Sequence, residues 1–196
     1  VYNVGRDFQH QSNLSFVDVN AVLFSDCAIL FARNPTLTSN EVETVRQNKI
    51  KSLQSVLGFV KRVNCELILS NRDPMMTVCS IDYGKFKYED RIEFEGIDKG
   101  FVVGKPFVNV FLDIESGKPK IQPGECRILR SNVNLDRDIP SNDEPFSLLE
   151  PTSGYYYYHW MLQSLREMRQ FKQDYQDTYQ LRYAGMIQVL QKYVSR

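Results

Sequence analysis

Two histidines, four cysteines and a set of scattered acids are the residues of this 196-residue chain with the chemistry for catalysis or metal binding. His159 has the most suggestive setting, within Tyr155-Tyr156-Tyr157-Tyr158-His159-Trp160. An imidazole there can serve as a general base, or stack on a sugar or a nucleobase. Paired with an acid such as Glu150 or Asp143 it would suit a hydrolase or a transferase. Spacing pairs no Ser or Cys nucleophile with it, and the chain has no Gly-x-Ser-x-Gly elbow. The cysteines, Cys27, Cys65, Cys79 and Cys126, lack a C-x-x-C spacing and a histidine at zinc-finger distance, so structural zinc is not expected. Cys27 and Cys65 lie in apolar runs, which predicts buried free thiols rather than disulfides.

Two loops come near ligand-binding motifs. Gly100 to Pro106 has the glycines and lysine of a phosphate loop, but three residues separate the glycines and Pro106 follows Lys105, where four residues and a Ser or Thr are needed. It reads as a turn flanking a strand. Asn132, Asn134, Asp136, Asp138 and Asp143 alternate oxygen ligands as a calcium loop does. Arg137 occupies the position that requires glycine and brings a positive charge to the cation's seat, so a solvated acidic loop is expected. No cofactor and no metal is expected.

Ser25-Asp26-Cys27, within Val22 to Phe31, resembles the strand pair of pleckstrin-homology domains, where a similar string recurs. The resemblance implies a lipid-headgroup site fed by a basic loop just upstream. Here Arg6 is the only preceding cation, and the helix expected next interrupts that family's strand order.

The elements that would position these residues follow from periodicity. Residues 14 to 32 read as two strands, Leu14 to Val19 and Val22 to Phe31, rich in β-branched and aromatic residues and stopped by Asn34-Pro35. Thr38 and Glu41 have capping-box spacing. Val42, Val45, Ile50, Leu53, Val56, Leu57 and Val60 then share one side of a helical wheel, predicting an amphipathic helix over about 39–61. From Cys65 to Leu135 the pattern turns to strands, at Cys65 to Leu69, Met75 to Ile81, Phe86 to Phe94, Phe107 to Ile114 and Cys126 to Leu129, with Gly and Pro between them. From Tyr155 to Arg196 proline is absent, and the spacing predicts helix that turns its face or breaks near Asp174. Unbroken, it would reach ~60 Å. Four tyrosines in a row would cover every side of a helical turn, so they could not all face one core.

The expected fold is therefore α+β: an antiparallel β-sheet or small β-sandwich with one inserted amphipathic helix and a long C-terminal helical arm. The expected organisation is a β-rich domain over 1–135, an acidic linker with prolines over 136–153, and the arm over 154–196. The chain opens at Val1, which suggests a removed leader or a trimmed upstream region. Basic and acidic residues number 24 each, so no global positive charge draws the chain to nucleic acid or anionic membrane. Val17 to Ala32 is interrupted by Asp18 and Asp26 and falls short of the ~20 residues of a membrane span.

The functional expectation is a non-enzymatic structural subunit of a large assembly, such as the capsid, neck, tail or baseplate of a virus or phage, docking on other copies of itself or on other subunits. Its expected interface is Tyr155, Tyr156, Tyr157, Tyr158, His159, Trp160, Tyr179 and Tyr183, because Tyr and Trp favour protein interfaces. Cytoplasm or virion is the expected location. A β-rich module binding a peptide or lipid headgroup through Lys85, Lys87 and Lys105 is the alternative, and an enzyme using His159 is the third reading.

Overall fold

The computed structural model describes residues 18–24, 27–33, 42–70, 72–89, 93–94, 97–98, 101–131 and 143–196. In chain order these form strands β1 (Asp18–Phe24) and β2 (Cys27–Arg33), helix α1 (Val42–Ile68), and strands β3 (Cys79–Ile81) and β4 (Phe86–Glu89). Then come β5 (Glu93–Phe94), β6 (Ile97–Asp98), β7 (Phe101–Gly104), helix α2 (Lys105–Ser116) and β8 (Cys126–Leu129). The chain ends with β9 (Leu149–Pro151), β10 (Tyr155–Tyr158), α3 (Met168–Thr178) and α4 (Tyr183–Val194). The fold is α+β. The described residues fall into two compact units, one drawn from 1–76, 136–149 and 159–196, the other from 77–135 and 150–158.

The first unit is built on α1. Glu43 sits in its first turn, where a carboxylate suits the positive end of the helix, and accepts from Gln47 at 2.9 Å and Arg46 at 3.3 Å. Leu53, Leu57, Val60 and Ile68 recur at helical spacing and are buried. The β1–β2 hairpin is antiparallel, and its Leu30 and Ala32 pack on Phe59 and Val63 of α1. At the far end of α1 the Gln191 side chain, from α4, donates to the Ile68 carbonyl at 3.0 Å, satisfying an acceptor that the end of a helix leaves open.

Helices α3 and α4 form a hairpin that turns at Tyr179–Leu181, a single 3-10 turn, and at Arg182, whose φ is 51°. The Asp174 carboxylate of α3 accepts from Lys192 at 2.5 Å and Tyr193 at 3.0 Å, both on α4, and from Gln170 at 2.8 Å. Phe171 meets Tyr193 edge to face, with ring centroids 5.2 Å apart. Gly185 lies so close to the Thr178 carbonyl that a Cβ there would overlap it.

In the second unit the sheet order is β3-β8-β10-β9. β3 runs parallel to β8, with Cys79 opposite Cys126, and β10 runs antiparallel to β8, with Tyr157 opposite Arg127. Parallel neighbours need a long crossover. Here the crossover holds the β4–β7 ribbon, in which Lys87 faces Val103, and helix α2.

Several expectations are corrected. Phe107 to Ile114, expected as a strand, is part of α2. Gly104 precedes it and Pro lies in its first turn, where proline's missing N–H costs nothing and its fixed φ suits a helix. Cys65 to Ile68 continues α1 rather than starting a strand, since no Gly or Pro stops the helix before residue 70. Tyr155–Tyr158 is a strand instead of the first turn of an arm, and the helix beyond it breaks, as one of its two expected alternatives had it, at 179–182 rather than at Asp174. Cys27, expected buried, is exposed at the first position of β2. The capping-box residues Thr38 and Glu41, and Asn132 to Asp138 of the acidic loop, lie outside the described residues.

The Lys192 hydrogen bond, then that from Gln170, hold the Asp174 carboxyl down from 3.8 to about 2. A carboxyl more acidic in the folded than in the unfolded chain stabilises the fold above its unfolded pKa, and that stabilisation is lost as pH falls through the folded one. The melting-temperature gap between the protein and Asp174→Asn is therefore expected to be constant above about pH 4 and to close between pH 4 and 2. Gly185→Ala is expected to cost about 1–3 kcal/mol in urea unfolding, because the turn between α3 and α4 must open to admit the methyl group.

Candidate functional site

An acid inside an apolar run either loses its charge or finds a partner, because a buried carboxylate without one is costly. Asp113 of α2 is buried and finds Arg127 of β8, whose side chain is 0% exposed. Arg127 Nε donates to Oδ2 at 2.9 Å and Nη2 to Oδ1 at 2.7 Å, a bidentate pair. The same guanidinium donates to the Asp113 carbonyl at 3.2 Å and, through Nη1, to the Pro119 carbonyl at 2.7 Å. The neighbouring strands supply the remaining donors. Ser80 Oγ of β3 donates to Oδ2 at 2.7 Å and Tyr155 Oη of β10 to Oδ1 at 3.0 Å. The Arg127 guanidinium carbon also stands 4.2 Å from the centroid of the Tyr155 ring. Burial first, then the bond to Asp113, raise the Tyr155 hydroxyl pKa, so it stays a donor. Gly117 makes room for this cluster, since a Cβ there would lie 2.6 Å from Arg127 Nη2.

One turn earlier on α2, Asn109 Nδ2 donates to Asp82 Oδ2 at 2.6 Å. The stripe of α2 that meets its own unit thus holds two polar anchors beside the half-buried apolar side chains Phe107, Val110 and Ile114. Three further apolar side chains are turned the other way: Val108, Phe111 and Leu112 are 50%, 55% and 52% exposed, and Val103 at the end of β7 is exposed as well. A surface helix ordinarily turns such side chains toward its own core. Uncovered apolar groups side by side are suited to binding an apolar partner.

The residues expected at an interface are distributed differently. Strand alternation divides the tyrosine run. Tyr155 and Tyr157 are half-buried on the side of the Asp113–Arg127 cluster, while Tyr156 and Tyr158 are buried on the other. Trp160 is buried, and half-buried His159 donates its backbone N–H to the Leu148 carbonyl at 3.1 Å. Tyr179 and Tyr183 are exposed together with Leu181, the Tyr183 hydroxyl accepting from the Met76 N–H at 3.2 Å. Asp113, Arg127, Val108, Phe111 and Leu112 had not been singled out in the sequence. Pro106 just after Gly104, and an acid within an otherwise apolar run, were the signals that would have found them.

Elsewhere in the first unit, an open groove of about 660 Å³ runs along α3, between Leu165 and Met168 and the cations Arg166, Arg169 and Lys172. These flexible, mostly exposed side chains offer no buried polar group to orient a ligand. Among the described residues no group of three or more His, Cys, Asp or Glu is placed to hold a metal ion, and no helix is long and apolar enough to cross a membrane. All four cysteines are free thiols, and a hydrogen bond with Cys79, then burial, hold Cys126 well above the usual thiol range. No family model, characterised protein or solved structure matches the chain.

Removing one partner of a buried ion pair leaves the other uncompensated, so Asp113→Ala is expected to cost about 3–5 kcal/mol in urea unfolding. Replacing both at once, as in D113L/R127M, is expected to cost less than the sum of the single changes. Additive losses in that cycle would mean that the two side chains do not depend on each other.

Proposed function

We propose that this protein is a non-enzymatic structural subunit that assembles with further copies of itself or with other subunits through exposed apolar side chains. The observation supporting this reading is the outward apolar stripe Val108, Phe111 and Leu112 on α2. Exposed Tyr179, Leu181 and Tyr183 offer a further contact surface, continuing the sequence-based expectation for Tyr179 and Tyr183. Contact through Tyr156, Tyr158 and Trp160 is not carried forward, because their rings are buried within the chain. Light scattering on the complete chain is expected to give a mass above 22.9 kDa that rises with concentration. A mass that stays at 22.9 kDa up to about 100 μM would contradict the proposal, since association weaker than that falls below the range of specific assemblies.

A second reading has one observation in its favour. Lys85, Lys87 and Lys105, all exposed, belong to β4 or its approach and to the start of α2, and Lys87 lies opposite exposed Val103. Cations beside uncovered apolar groups suit an anionic lipid surface. On this reading, vesicles containing phosphatidylserine co-sediment the protein in low salt, and K85Q/K87Q/K105Q releases it. Equal retention of the triple variant would exclude a role for these lysines.

A further inference from the structure

The outward side of α2 is one stripe along the helix: Lys105, Val108, Phe111, Leu112 and Glu115 are all exposed. Its charges are placed against the helix's own field. The first turn holds a lysine and no acid, and the last turn holds a glutamate and no cation, the reverse of what the macrodipole favours. Neither Lys105 nor Glu115 is paired with a described residue. A second helix of the same sequence running the opposite way would answer both charges. At 1.5 Å per residue, Lys105 and Glu115 stand roughly 15 Å apart along the axis. Reversal about residue 110 sets 105 opposite 115, 108 opposite 112 and Phe111 near the centre. The stripe is therefore complementary to itself, as the shared patch of a two-fold dimer must be.

We infer that α2 is the contact helix of a symmetric homodimer, packed antiparallel on α2 of a second copy through Val108, Phe111 and Leu112, with each Lys105 facing the other copy's glutamate. The inference rests on the assembly reading and names its partner and geometry. The inward anchors Asn109 and Asp113 fix the rotation of the helix about its axis and so keep the stripe on the outside.

Sedimentation equilibrium on the full chain tests it. The protein is expected to reach a mass of about twice 22.9 kDa. Phe111→Asp is expected to abolish the dimer. Lys105→Glu and Glu115→Lys are each expected to weaken it roughly tenfold or more, and K105E/E115K to return it to within about threefold of the original. Each single exchange improves the helix's own electrostatics, so weaker association cannot be put down to an unstable helix. Melting curves on every variant check the fold, and should F111D unfold, the exchange pair decides, because it leaves the apolar stripe intact. An oligomer that persists unchanged in F111D, or a double exchange no stronger than the singles, would overturn the inference and leave the assembly reading to another surface. A chain that stays monomeric up to about 100 μM would overturn both.

Discussion

The buried pair of Asp113 and Arg127 is the constraint on which the second unit depends. A carboxylate and a guanidinium both cut off from water are tolerable only when nearly every donor and acceptor is matched. Here the match draws on three adjacent strands and on α2: Ser80 from β3, Arg127 from β8 and Tyr155 from β10 all converge on one side chain of the helix. The geometry leaves little freedom. Rotating α2 by one residue would bring Phe111 or Leu112 inward only by exposing Asp113 and stranding Arg127. The uncovered apolar stripe is thus a consequence of how the helix is anchored. This ties a local electrostatic requirement to the surface we propose for contact between copies.

In the first unit a similar anchor is weaker and nearer to water. Asp174 gathers Lys192, Tyr193 and Gln170, and the Phe171–Tyr193 contact and Gly185 let α3 and α4 approach closely. The side of α4 bearing Val189, Leu190 and Tyr193 is buried within the chain as a result. An arm that would otherwise have needed a neighbour for all its apolar residues keeps only Tyr179, Leu181 and Tyr183 in the open, at the turn.

Much of this architecture was legible in the sequence where one period dominates. The wheel of α1, with Leu53, Leu57 and Val60 on one side, is recognisable from spacing alone. So is strand β8, whereas of the hairpin preceding α1 only the presence of two strands was legible: the expected second strand, Val22 to Phe31, spans the end of β1 and most of β2, and the strands in fact meet between Phe24 and Cys27. Legibility fails where apolar residues are continuous. Phe107 to Ile114 fits neither period well, and what decides for helix is Pro106 together with the need to bring Asp113 to Arg127, a contact between residues distant in sequence. The four tyrosines fail for a related reason. A run of one residue type carries no periodicity, so Tyr155–Tyr158 takes its form from pairing with β8, which alternates the rings between a polar side and a buried side. Of the expected interface, Tyr179 and Tyr183 are uncovered while the rings of Tyr156, Tyr158 and Trp160 are buried, and the further uncovered groups Val108, Phe111 and Leu112 belong to a helix anchored by Asn109 and Asp113.

The central claim is that α2 presents Val108 and Leu112 to solvent in the single chain and covers them in the assembly. Methyl NMR on Val- and Leu-labelled protein with a soluble paramagnetic agent tests it most directly. The account predicts strong broadening of the Val108 and Leu112 signals in dilute protein and protection as concentration rises, while the buried Leu57 signal stays sharp throughout. Val108 and Leu112 signals already protected at high dilution, or broadened equally at every concentration, would contradict it.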